Sequence, residues 1–77
     1  MKLQILSLAG TLFEGDTDSV SLPSSNGEIT ILPNHIPLIT LLQKGDVKFS
    51  NKNEQKNITI EGGFAEVNGE KVVVLAN

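Results

Sequence analysis

His35 is the only side chain in this sequence that titrates near neutral pH, so any acid–base chemistry would have to run through it. No cysteine is present for it to activate. Ser24 and Ser25 fall in a turn signal, without the strained strand-to-helix elbow that exposes a hydrolase serine. As a metal ligand His35 lacks a second histidine or any thiolate, the groups from which zinc sites are built. Glu14, Asp16 and Asp18 invite a calcium reading, because alternate positions of a strand set their carboxylates on one face. An EF-hand beginning at Glu14 would need glycine at its sixth position and glutamate at its twelfth, where this chain has Ser19 and Ser25. A solvated acidic edge that discourages edge-to-edge pairing is the simpler reading. Gly62-Gly63 lacks the spacing of a phosphate-cradling loop and reads as a bulge or tight bend. The sequence thus predicts no catalytic residue, no metal site and no bound cofactor.

The chain has 77 residues, six lysines, no arginine, nine acidic groups and a net charge of −3, and 39% of its residues are hydrophobic. That is one domain over residues 1–77, small enough to bury only about 60% of its unfolded surface. Without cysteine it has no disulfide framework. Scattered lysines, a mild acidity and no Trp or Tyr argue against a nucleic-acid surface. The opening Met1-Lys2-Leu3-Gln4 does not read as a signal peptide, and Ile29 to Gln43 is broken by Pro33, Asn34, His35 and Pro37, well short of the roughly 20 apolar residues of a membrane helix.

Period-two alternation recurs along the chain and no helical period does, so the elements are strands. Leu3 and Ile5 point one way, and the parity change at Leu6 and Leu8 predicts a bulge or a strand end. Thr11 to Leu22 reads as an edge strand or as two strands bent at Gly15. Pro23 to Gly27 is a turn, and Glu28 to Ile31 a short strand with Ile29 and Ile31 inward. Leu38–Leu42 and Val72–Leu75 are apolar enough to be buried on both faces. Val47–Phe49 and Ile58–Ile60 are hairpin arms. Asn68-Gly69 predicts a type I′ turn that pairs Val67 with Glu70 and Glu66 with Lys71. The sum is about eight to ten strands in an all-β sandwich or flattened barrel. Asn26 to Leu38, with Glu28, His35 and two prolines, is a rigid loop. Such loops serve as binding surfaces; the equal alternative is that the prolines only end strands.

Leu22-Pro23, Asn26-Gly27-Glu28-Ile29 and the run Ile31-Leu32-Pro33-Asn34-His35-Ile36-Pro37-Leu38-Ile39-Thr40-Leu41-Leu42 resemble, in order, the epsilon subunit of F-type ATP synthase. Lys44-Gly45, Gly62-Gly63-Phe64-Ala65-Glu66-Val67 and Lys71 to Ala76 resemble its later segments at the same spacing, so the likeness runs from Leu3 to Ala76. The resemblance implies a ten-stranded β-sandwich and a non-catalytic rotor subunit, bound to the gamma subunit and seated on the c-subunit ring. Its place would be peripheral to the cytoplasmic face of a bacterial or equivalent energy-coupling membrane. By motif position, His35 is implied as a gamma contact and Glu28 as a c-ring contact. Asn34 replaces the more usual glycine before the histidine, and asparagine tolerates the backbone angles this requires. The typical member continues into a C-terminal helical hairpin. Residues 1–77 match only the sandwich, so the hairpin's regulation and any nucleotide site on it are not carried over. A rotor subunit should show an exposed apolar patch on one sandwich face, to be covered by gamma, with the polar middle of Thr11 to Leu22 facing water or the c-ring loops. A lipoyl- or biotinyl-type carrier, the alternative, needs a lysine at a hairpin tip, whereas Lys71 follows Asn68-Gly69 by two residues.

Overall fold

The alternating positions Leu3/Ile5, Val20/Leu22, Val47/Phe49, Ala65/Val67 and Val72/Val74 all turn inward and are buried. Each fully buried Val, Leu or Ile adds roughly 1.5–3 kcal/mol, and with no disulfide this shared interior is the main source of stability. The computed structural model describes residues 1–52 and 54–77, and shows no helix among them. Among the described residues nine strands form, where the resemblance implies ten: β1 (Lys2–Ser7), β2 (Gly10–Asp16), β3 (Ser19–Ser24), β4 (Gly27–Ile31), β5 (Leu38–Leu42), β6 (Gly45–Asn51), β7 (Glu54–Ile60), β8 (Gly63–Asn68) and β9 (Lys71–Ala76). They make one curled sheet with a layer ordered β2-β1-β9-β8-β5 and a layer ordered β4-β3-β6-β7, joined where Ser24 pairs with Leu42. Every pairing is antiparallel except β1 with β9. At the open side, the Phe13 ring of one layer lies 4.4 Å, centroid to centroid, from that of Phe49 in the other.

Thr11 to Leu22 is indeed two strands, but the break falls at Thr17–Asp18 and not at Gly15. Thr17 is buried and its N–H donates to the Met1 carbonyl at 2.7 Å. The Asp18 N–H donates to Ser50 at 2.7 Å, while its carboxylate accepts from the Lys52 N–H at 2.7 Å. This corner carries the chain from one layer to the other and reverses parity, so Phe13 and Thr17 face in before it and Val20 and Leu22 after it. The bulge predicted near Leu6 is present: Ile5 pairs with Phe13 and Leu6 with Thr11, leaving Leu12 as the extra residue. The predicted β6–β7 hairpin forms with Val47 opposite Ile58, and Asn53 in its polar connection lies outside the described residues.

The type I′ turn does not form. Asn68 pairs with Lys71, Val67 with Val72 and Glu66 with Val73, so the turn residues are Gly69 and Glu70, and Gly69 lacks the positive φ that type I′ requires. The Asn68 side chain accepts from the Glu70 N–H at 3.1 Å, an Asx turn. This register sets buried Val67 against buried Val72, whereas the expected one would place Glu70 in the inward row. The expected double-sided burial of Leu38–Leu42 and Val72–Leu75 is also absent. β9 is a central strand, but Leu75 is exposed and Val73 only half-buried, and in β5 only Leu42 is buried.

Gly62-Gly63 is the tight bend the sequence suggests, with φ of 147° and 143°. A Cβ at Gly63 would overlap the carbonyl oxygen of Leu75 on the neighbouring strand. Gly63→Ala is expected to cost about 3 kcal/mol or more, read as a lowered urea midpoint, because both the φ and the close approach exclude a side chain. A midpoint matching that of the parent would show that the bend is not fixed as described.

Candidate functional site

Registers across the β2-β1-β9-β8-β5 layer align its outward residues into rows. Leu41, Phe64, Leu75 and Leu6 stand side by side on β5, β8, β9 and β1, and the bulge residue Leu12 follows on β2. Leu41, Phe64 and Leu75 are 55%, 52% and 51% exposed. At about 4.8 Å per strand the row runs roughly 20 Å. The next row is mixed: Ile39, Glu66, Val73, Gln4 and Glu14, with the Gln4 amide donating to Glu14 at 3.1 Å. The third, Asn68, Lys71, Lys2 and Asp16, is wholly polar. The face therefore grades from apolar to charged. A contiguous exposed apolar patch on a small domain is the kind of surface that partners cover.

The outward face of the other layer carries hydroxyls and charges instead. Ser19 and Ser50 share a hydrogen bond of 2.9 Å, Ser21 and Thr30 one of 3.0 Å, and the Lys48 ammonium lies 3.7 Å from the Glu28 carboxylate. Asp46 accepts from the Thr59 hydroxyl at 2.6 Å and from the Asn57 amide at 3.0 Å. The Thr59 bond, then the Asn57 bond, and in smaller part the Lys48 charge, hold its carboxyl below the ordinary value of 3.8. A depressed carboxyl stabilises the fold above its unfolded pKa and loses that contribution as pH falls through the folded one. Asp46→Asn should therefore lower the urea midpoint at neutral pH. The gap should persist down to pH 3.8 and close below it. A gap independent of pH would contradict this role.

The two residues singled out by resemblance are not brought together. Glu28 lies in β4 and not in a loop. It is opposite Pro23, whose carbonyl accepts from Gln43 at 2.9 Å, and so it sits at the end of the domain where β5 finishes. His35 lies in the connection between β4 and β5, at the other end. The Asn34 N–H there donates to Gly69 at 3.0 Å and ties the loop to the β8–β9 turn. Asn34 has φ 67°, the left-handed geometry its side chain tolerates. The His35 N–H donates to Leu32 at 3.2 Å, and ring Nδ1 lies 2.7 Å from the Ile36 carbonyl. No titratable partner is hydrogen-bonded to the ring among the described residues.

Glu14 and Asp16 face out on the edge strand β2, while Asp18 turns away to cap the Lys52 amide. The described residues hold no metal-binding group of three His, Cys, Asp or Glu. Lys71 opens β9 opposite Asn68 and is not a hairpin tip, which removes the carrier-domain feature. Within the row, Leu41 and Leu75 belong to the segments expected to be buried on both faces, and both are exposed.

Residues 1–77 match the family model described as the beta-sandwich domain of the ATP synthase delta/epsilon chain. The chain is 40% identical over 77 residues to the ATP synthase epsilon chain of Dehalococcoides mccartyi, covering 100% of itself and 55% of that protein. It is 36% identical over 77 residues to that of Prochlorococcus marinus, covering 58% of it. It thus spans little more than half the length of these relatives. Among solved structures it superposes with a TM-score of 0.89 on a chain of the Euglena gracilis mitochondrial ATP synthase, at 19% identity, covering 96% of this chain and 48% of that one. A chain of the Tetrahymena thermophila mitochondrial ATP synthase central stalk and c ring gives 0.82 at 13% identity, covering 99% and 62%. At these identities the two superpositions establish the fold.

Proposed function

The chain belongs to the ATP synthase delta/epsilon beta-sandwich family, and on that premise we propose that it is a non-catalytic rotor subunit of the central stalk. It binds the gamma subunit and the c ring and helps couple proton or sodium translocation to ATP synthesis, peripheral to the cytoplasmic face of the membrane. The epsilon chain is a stalk subunit and not itself catalytic. No helix among the described residues is long and apolar enough to cross a membrane.

The observation that carries this reading is the asymmetry of the two outer faces. One layer exposes the Leu41-Phe64-Leu75-Leu6 row, while the other is covered with hydroxyls, amides and charges. Only the first has a reason to be covered, and gamma is its proposed cover. The Pro33–Pro37 loop with His35 adjoins the same layer at its polar end, beside the β8–β9 turn. Glu28, at the opposite end, faces the polar loops of the c ring. Contacts spread from one end of the sheet to the other suit a subunit that transmits torque between two partners.

Phe64→Glu should weaken gamma binding at least tenfold in a calorimetric titration, since it places a charge in the covered row. The thermal midpoint should move little, because Phe64 is half-exposed in the free chain. Unchanged affinity would remove this face from the interface. Glu28→Lys should lower proton- or sodium-driven ATP synthesis in the reconstituted complex more than it lowers gamma affinity. Full synthesis in that variant would rule out the c-ring contact.

A further inference from the structure

The His35 ring is held by a bond that determines which of its nitrogens is free. Nδ1 lies 2.7 Å from the Ile36 carbonyl oxygen. A carbonyl can only accept, so Nδ1 carries the proton, and in the neutral ring Nε2 is left with a bare lone pair. The surrounding loop fixes this choice. Asn34 occupies the left-handed region, its N–H is tied to Gly69 at 3.0 Å, and the His35 N–H is tied to Leu32 at 3.2 Å. Pro37 holds Ile36 in extended geometry and has no N–H of its own. Among the described residues, no backbone N–H outside the strand ladders claims the Ile36 carbonyl, which leaves it for the ring.

We propose that His35 meets its partner through Nε2 acting as a hydrogen-bond acceptor. The partner group at this point is therefore a donor, such as a backbone amide, a hydroxyl, a side-chain amide or a cation, and not a carboxylate or carbonyl. The inference rests on the reading that this loop contacts gamma, and adds the chemistry of the contact. It makes His35 a specificity element, because the Nδ1–H tautomer presents no Nε2–H to an acidic partner.

The chain contains one histidine, so ring nitrogen-15 signals need no assignment. Two-bond nitrogen–proton correlation spectra at about pH 8 report which ring nitrogen is protonated. The free chain should show Nδ1 protonated and Nε2 bare. Addition of purified gamma should shift Nε2 as an acceptor while Nδ1 stays protonated. An Nε2–H ring, free or bound, overturns the proposal whatever gamma does. Binding seen in backbone amides with both ring nitrogens unmoved overturns the His35 contact while leaving the rotor reading in place. No binding at all overturns the rotor reading and the contact with it. His35→Asn retains a donor toward Ile36 and removes the Nε2 acceptor, so gamma affinity should fall about fivefold with the urea midpoint unchanged. Unaltered affinity in this variant counts against an Nε2 bond.

Discussion

Every strand has two faces, and in a chain of 77 residues only one of them can reach the interior. The inward face of each layer is filled by Leu3, Ile5, Val72, Val74, Ala65 and Val67 on one side and by Val20, Leu22, Ile31, Val47, Phe49 and Ile60 on the other. Whatever apolar residues remain must then stand outside. That constraint separates the two outer faces: where the second parity is polar, as in β3, β6 and β7, the layer is finished in water. Where it is apolar, as at Leu41, Phe64 and Leu75, the isolated fold is left with surface that a partner would cover.

The remaining details build that surface and define its ends. Gly63 lets the β8–β9 pair begin with the backbones in close approach, which brings Phe64 into register with Leu75 and Leu41. The parallel β1–β9 pair extends the row to Leu6, so the two ends of the chain lie side by side in the same layer. The Asn34 tie to Gly69 packs the proline-bracketed loop against the polar end of that layer. Glu28, paired across strands with Lys48, marks the other end. A continuous hydrogen-bonded sheet between the two ends keeps them at a fixed spacing.

Much of this was legible in the sequence. Strand type, the Leu6 bulge, the β6–β7 hairpin and the Gly62-Gly63 bend all follow from local rules of parity and backbone freedom. The failures have a common cause, since each required knowing what lies across from a residue. Val72–Leu75 and Leu38–Leu42 look the same whether a second layer or a partner covers their outer face, so periodicity could not tell burial from docking. Asn68-Gly69 favours type I′ locally, but the Val67–Val72 pairing across the hairpin overrides it. The Thr17–Asp18 corner depends on hydrogen bonds to Met1 and Ser50, which are distant in sequence. Of the candidate site, the proline-bracketed stretch with Glu28 and His35 was legible from local rules, and the partner roles of those two residues came from motif resemblance. Their separation to opposite ends could not be seen until β4 was placed between them.

The central claim is that the apolar row on the β2-β1-β9-β8-β5 layer is a docking face for gamma. Its most direct test is a calorimetric titration of the folded chain with purified gamma subunit at several temperatures. Burial of apolar surface gives a negative heat-capacity change on binding. The account predicts saturable one-to-one binding whose enthalpy becomes more negative as temperature rises. Saturable binding with an enthalpy independent of temperature, or no binding by a demonstrably folded chain, would contradict it.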